Sequence, residues 1–312
     1  MKRLLFCLMG PTASGKTALA CELVKHFPLE VISVDSAMIY REMNIGTAKP
    51  DTETLLAVPH HLIDILDPPE SYSAADFCGD IDQLSRDIYN RGNIPLLVGG
   101  TMMYFKALQD GLSSLPAADD GIRKALLQQA EKYGWDHMHQ ELLSIDPVMA
   151  AKIHPHDTQR ITRALEVYHL TSTPLSLFLQ KKKAVNDYQC VNVALIPDDR
   201  AWLHERIARR FVEMLSSGFL QEVEGLLAKW QLTSTNPSMR CVGYRQAVAF
   251  LQGEYDYDTL SLKGIAATRQ LAKRQLTWLR HWTDTHVYAA ENPAVGVEII
   301  AMMKQILDNF KS

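Results

Sequence analysis

Hydrophobic and polar positions follow two rhythms over the first hundred residues. Short apolar runs at RLLFCLM (3–9), EVISVDS (30–36) and NIPLLVGGT (93–101) end in small or acidic residues. Alongside them, TALACELVKHF (17–27) and MMYFKALQDG (102–111) repeat their apolar residues at helical spacing. Brief apolar strands separated by helices predict a parallel α/β sheet.

The rhythm changes at SSLPAADD (113–120). From there to about Lys183 the chain reads as helices without a strand: GIRKALLQQAEKYG, DHMHQELLSI, DPVMAAKI, DTQRITRALEVYHL and PLSLFLQKKK. VNVALIPDD (191–199) then returns as a strand like the first three. Helical segments over 200–230, 243–253 and 258–282 follow, then a short strand at THVYAA and a final helix. The economical organisation is an α/β core with C-terminal helices, 1–115 and 190–312, interrupted by an all-helical insertion, 116–189.

Composition narrows the class. Hydrophobic residues make up 47% and charged residues 22%, the mix of a soluble globular enzyme. The net charge of -4 means that a nucleic-acid partner needs a local basic surface. Five cysteines with no C-x-x-C spacing argue against a disulfide framework and a structural zinc site, and fit a reducing cytosol. The first apolar run stops at Gly10-Pro11, short of a signal segment, and no other stretch reaches membrane-spanning length.

Gly10, Pro11, Thr12, Ala13, Ser14, Gly15, Lys16 and Thr17 spell the phosphate-loop pattern between an apolar strand and a helix. The glycines let backbone N–H groups wrap an anion with a helix dipole behind them; Lys16 adds charge and Thr17 a hydroxyl for Mg²⁺. The pattern alone does not name the phosphate. Asp35 ends the next strand, where parallel sheets place ligands, and is a candidate base or magnesium partner; as a purely structural residue it would cap a helix at SAMIYREM. Thr101 offers a hydroxyl to the same crevice, or a cap. Asp64 and Asp67 of HHLIDILDP are further candidates for an acid near the loop.

A second cluster is basic. Lys263, Arg269, Lys273, Arg274 and Arg280 occur between 261 and 283 with no acidic residue. Helical spacing puts Arg269, Lys273, Thr277 and Arg280 on one face, and Ile265, Leu271, Ala272, Trp278, Leu279 and Trp282 on a buried one. Such a row suits a phosphate backbone, or is a solvated face. Arg240, Tyr244 and Arg245 combine cations with a ring able to stack on RNA bases. Arg206, Arg209 and Arg210 of HERIARRF each qualify to complete the anion site, and composition does not choose among them.

Taken together, GPTASGKT, VISVDSAMIYREMNIGTAKP, PHHLIDILDP, YSAADF, PLLVGGTMMYFKAL, RITRALEVY, RCVGYRQA and ATRQLAKRQLTWLR resemble the tRNA dimethylallyltransferase family of bacterial type. The resemblance runs to about Trp282; His156 stands where relatives usually carry Asn. It implies a P-loop NTPase-like core and transfer of a dimethylallyl group from dimethylallyl diphosphate to the N6 amine of the adenosine 3′ of the anticodon. The loop would then hold a leaving group, with Mg²⁺ near Thr17, Arg210 on the diphosphate, Asp35 as base and Thr101 as its companion.

The implied contacts with the tRNA anticodon stem-loop are Asp35, Ser36, Ala37, Met38, Thr101 and Arg123, with Gln159, Arg160, Ile161, Thr162 and Arg163. They continue through Arg240, Cys241, Val242, Gly243, Tyr244 and Arg245, and through Lys273, Arg274, Gln275, Leu276, Thr277, Trp278, Leu279 and Arg280. A cytoplasmic monomer is expected. The competing readings are a P-loop kinase, which has no need of the basic face, and an RNA-binding ATPase module, which leaves Asp35 and Thr101 unexplained.

Overall fold

The first apolar run becomes a central strand because both of its faces are covered. In the computed structural model, which describes residues 3–113, 115–180, 182–183 and 188–311, β1 (Arg3–Met9) is buried from Leu4 onward. Leu4, Phe6 and Leu8 pack with Leu19, Ala20 and Leu23 of α1 (Lys16–His26), while Leu5, Cys7 and Met9 are buried on the opposite face. The chain continues through β2 (Leu29–Val34), α2 (Thr52–Ala57), β3 (His60–His61), α3 (Ala74–Asn90), β4 (Ile94–Gly99) and α4 (Met102–Asp110).

After β5 (Leu112–Ser113) come α5 (Asp120–Tyr133), α6 (Trp135–Ile145), α7 (Pro147–Ala150), α8 (Thr158–Thr171), α9 (Leu175–Leu179) and β6 (Lys182–Lys183). The last third holds β7 (Tyr188–Ile196), α10 (Arg200–Ser216), α11 (Phe219–Trp230), α12 (Tyr244–Leu251), α13 (Tyr257–Arg280), β8 (Thr285–Ala289) and α14 (Val295–Lys311). The expected helix over 200–230 is two helices, parted at Gly218.

Six strands form one sheet in the order β3-β2-β4-β1-β7-β8, with every pairing parallel. The parallel α/β sheet expected from the apolar rhythm is the architecture observed, as is the P-loop NTPase-like α/β class that the resemblance implies. Ile299 and Met303 of α14 join the α1 face of the core, which gives the last segment, without a motif in the sequence, a packing role.

The chain divides into two compact units, 1–107 with 187–312, and 108–186. The smaller unit packs α5, α6 and α8 around Leu126, Met138, Leu142, Ile161 and Leu165. Its ends differ from the expected borders because Leu112–Ser113 pairs antiparallel with Lys182–Lys183 inside it. The helix expected through Lys183 stops at Leu179, where the apolar spacing gives way to polar residues; Lys181 lies outside the described residues.

In the larger unit, a second core is built on Phe219, Val223, Met239, Tyr244 and Val248, together with Ile39, Tyr40 and Met43. Its polar anchor is Glu222. The carboxylate accepts the N–H groups of Asn44, Ile45 and Gly46 at 2.9, 2.7 and 3.2 Å, and the Tyr244 hydroxyl at 2.5 Å. Nearby, the buried Lys49 ammonium donates to Tyr40 O, Asn44 Oδ1 and Asp64 Oδ1 at 3.0, 2.9 and 2.6 Å. These two charges order the segment that follows β2.

Removing the Glu222 carboxylate leaves three backbone donors and a buried phenol without their acceptor. Glu222→Ala is expected to destabilise the protein by on the order of 3 kcal/mol. The exposed Glu224→Ala should stay within about 0.5 kcal/mol of the parent. Urea unfolding followed by tryptophan fluorescence checks both.

Candidate active site

Three parallel strands end level with one another. Met9 pairs with Gly99, and Val34 also pairs with Gly99, so Gly10, Asp35 and Gly100 leave the sheet side by side. The phosphate loop, Asp35 and Thr101 are therefore neighbours at the carboxyl edge. Thr101 accepts the Ser36 N–H on Oγ1 at 3.1 Å and donates its own N–H to Val34 O at 3.2 Å.

SAMIYREM does not form the predicted helix. Asp35 Oδ1 instead accepts the N–H groups of Ala37 and Met38 at 2.8 and 3.3 Å and sets a turn. Among the described residues, Asp35 Oδ2 takes no hydrogen bond, so the carboxylate is fixed through one oxygen and available through the other. Asp64 and Asp67 are engaged by Lys49 and Arg41 at 2.6 and 2.7 Å.

The loop itself is wound by Ala13 at φ 64° and Gly15 at φ 96°, and Ser14 donates its N–H to Pro11 O at 3.3 Å. Lys16 Nζ is turned inward onto Pro11 O at 2.7 Å. Two arginines one turn apart on α10 reach the same loop: Arg206 Nε donates to Ala13 O at 2.8 Å, and Arg210 donates to Thr12 Oγ1. Arg209 points away, towards Glu213 at 3.7 Å. Of the three arginines that composition does not choose among, Arg206 and Arg210 reach the loop, in line with their i, i+4 spacing within HERIARRF.

Crowded cations make the loop electrostatically hungry. Burial, together with the charge of Arg210, pulls the Lys16 ammonium down to about 7, with Asp35 opposing the shift. Burial also lowers the Arg210 guanidinium, again opposed by Asp35. Cys241 is pushed up to about 12 by burial and by the charge of Asp35, which brings the RCVGYR segment to the same locality. An anion entering here meets loop N–H groups, two guanidiniums and the Lys16 amine.

The expected RNA contacts separate by exposure. Ser36, Arg240, Arg245, Lys273, Arg274, Thr277 and Arg280 are exposed, and Ala37, Met38, Cys241 and Val242 are half-buried. Trp278, expected in the core, is 42% exposed on the cationic side of α13. Tyr244 is fully buried against Phe219 and bound to Glu222, so it packs rather than stacks on a base; Gly243 beside it is buried too. Gln275, Leu276 and Leu279 are also buried, on the face of α13 turned away from solvent. Arg269 lies half-buried rather than in the exposed row and donates to His204 O at 3.5 Å.

In the smaller unit, Gln159 and Arg160 are exposed, Thr162 is half-buried and Ile161 is a core residue. Arg123 and Arg163 both bond the fully buried Glu166, at 2.9 and 2.6 Å. Among the described residues, no helix is long and apolar enough to cross a membrane.

Comparison with known proteins places this geometry in context. A family model described as IPP transferase matches residues 38–282, and one described as isopentenyl transferase matches residues 3–64. A tRNA dimethylallyltransferase of Legionella pneumophila (strain Paris) is 62% identical over 309 residues, covering 99% of each chain. The crystal structure of the tRNA isopentenylpyrophosphate transferase of Bacillus halodurans is 35% identical with a TM-score of 0.72, over 99% of this chain and 98% of that one. A eukaryotic dimethylallyltransferase, solved acting on tRNA, is 25% identical with a TM-score of 0.82, over 98% of this chain and 80% of its own. With most of its length inside one family model and a full-length relative at this identity, the chain belongs to the IPP transferase family, that of the tRNA dimethylallyltransferases.

Proposed function

We propose that this tRNA prenyltransferase moves a dimethylallyl group from dimethylallyl diphosphate to the N6 amine of the adenosine at position 37, next to the anticodon. The observation that carries the reading is the meeting of Asp35, Thr101 and the phosphate loop at the ends of three level strands. Departure of diphosphate leaves positive charge on the allylic carbon and negative charge on oxygen. Loop N–H groups, Lys16, Arg206 and Arg210 stabilise that growing anion. The loop holds a leaving group and hydrolyses nothing.

The adenine amine is a weak nucleophile because its lone pair is delocalised into the ring. Asp35 Oδ2 accepts its proton as the new bond forms, while Oδ1 keeps the carboxylate in place. Thr101 holds the turn beside it through Ser36. To enter the site the base leaves the anticodon-loop stack, at a cost of a few kcal/mol. Exposed cations at Arg160, Arg240, Arg245, Lys273, Arg274 and Arg280 hold the phosphate backbone meanwhile.

Magnesium suits this donor set. Among the described residues, no three His, Cys, Asp or Glu side chains form a metal cage. A mostly hydrated Mg²⁺ needs few protein oxygens when a diphosphate supplies the rest, and the half-buried Thr17 hydroxyl provides one. When bound, the ion neutralises leaving-group charge. The protein works in the cytosol, a reading supported by five cysteines without C-x-x-C spacing.

The test mixes protein, Mg²⁺, dimethylallyl diphosphate and unmodified tRNA, then digests the RNA for mass spectrometry of its nucleosides. One added dimethylallyl unit on adenosine is expected, with kcat lowered roughly 10²–10⁴-fold in Asp35→Ala. ATP consumption without RNA, and no modified nucleoside, sinks the reading.

At pH 8.5 a Lys16 amine with a pKa of about 7 is mostly neutral. The arriving diphosphate favours the ammonium, so binding takes up close to one proton. Calorimetry of dimethylallyl diphosphate in buffers of different ionisation enthalpy should show that uptake, and Lys16→Met should abolish it. Lys273→Ala and Arg280→Ala should each weaken tRNA binding and reduce its salt slope by about one, leaving kcat at saturating tRNA close to the parent.

A further inference from the structure

Gln275 is buried in α13 although Lys273, Arg274 and Thr277 around it face solvent. Both ends of its amide are occupied. Oε1 accepts the Thr12 N–H at 2.8 Å, and Nε2 donates to Gly100 O at 2.9 Å. One partner lies in the phosphate loop and the other in the turn that presents Thr101. Gly100 is what allows the approach, since a Cβ there would stand 2.3 Å from Nε2. Thr12 is consequently gripped twice, through its N–H by Gln275 and through its hydroxyl by Arg210.

We propose that Gln275 is a positioning residue for prenyl transfer, fixing the diphosphate cradle relative to the Thr101–Asp35 turn. The inference rests on the reading of those two elements as the donor and acceptor sides of the reaction. A fork with one acceptor and one donor, at this reach, is what the two backbone groups require. Glutamate lacks the donor, methionine lacks both, and asparagine is one methylene short. Group transfer between two bound partners is sensitive to small displacements, and a shift of about 1 Å costs on the order of 10²-fold in rate. The side chain hangs from the helix whose opposite face carries the row of cations. The register of that helix therefore sets the spacing between loop and turn.

The expected signature is in kcat rather than in binding. Gln275→Met should lower kcat about 10²-fold with saturating dimethylallyl diphosphate. Its KM for tRNA and its affinity for inorganic pyrophosphate should stay close to those of the parent, and its melting temperature should fall by no more than a few degrees for the two backbone groups left unpaired. Gly100→Ala attacks the same contact from the other side and should slow transfer comparably. The double variant should be about as slow as either single one, because both remove one interaction. Multiplying losses, or an unimpaired kcat in a folded Gln275→Met, would overturn the positioning role. So would loss of kcat only in proportion to lost folded protein. A parent that transfers no prenyl group overturns the functional reading itself, and this inference with it.

Discussion

Everything at the site depends on three parallel strands ending in register. Because Met9, Val34 and Gly99 are aligned across β1, β2 and β4, the residues that follow them emerge at one edge with no long loop to order. The backbone groups left unpaired at that edge are then used. Val34 O receives the Thr101 N–H, and the Ser36 N–H goes to the Thr101 hydroxyl. The register is carried by continuous ladders, β1 with β4 from Phe6 opposite Leu96 to Met9 opposite Gly99, and β2 with β4 from Leu29 opposite Ile94 to Val34 opposite Gly99. The stability of the sheet and the geometry of the site are the same fact.

The loop without ligand is a place where like charges are held together against their inclination. Lys16 and Arg206 are seated on neutral carbonyls, Pro11 O and Ala13 O, and Arg210 on a hydroxyl. Asp35 is the acid that acts on both Lys16 and Arg210. Neutral acceptors bind cations more weakly than phosphate oxygens do, which is the exchange the proposed diphosphate site relies on. In the reaction proposed above, preorganisation of this kind costs folding energy and returns it in the charge-separated transition state.

The sheet was legible because its strands are short, nearly unbroken apolar runs with loop signals at their ends, and the phosphate loop because its spacing is strict. Asp35 and Thr101 followed from their positions at strand ends. What was not legible depends on contacts far apart in sequence. Gln275 looks like one more polar residue on a basic helix, and only the packing of α13 shows it turned inward. Tyr244 beside two arginines has the composition of a stacking site, yet Glu222, distant in sequence, draws it into the core. Trp278 fails the other way: periodicity placed it inside, while Gln275, Leu276 and Leu279 take the buried stripe. The β5–β6 pair escaped because two residues per strand leave no periodicity to read.

The cations expected to meet RNA are of two kinds, and they differ physically. Arg123 and Arg163 are held by Glu166, which stays below the usual carboxylate range although burial works against it, because Arg163, the Asp119 N–H and Arg123 bond it. Two guanidiniums on one carboxylate leave a net positive charge in a fixed place, with Arg123 still 43% exposed. Arg160, Arg245, Lys273 and Arg280 are instead exposed at helix surfaces. A fixed charge loses little side-chain entropy when a phosphate arrives, but part of its field is already spent. An exposed one brings its full charge and loses more freedom. On the proposed reading, fixed cations would define where an RNA backbone sits and exposed ones how strongly salt weakens the grip.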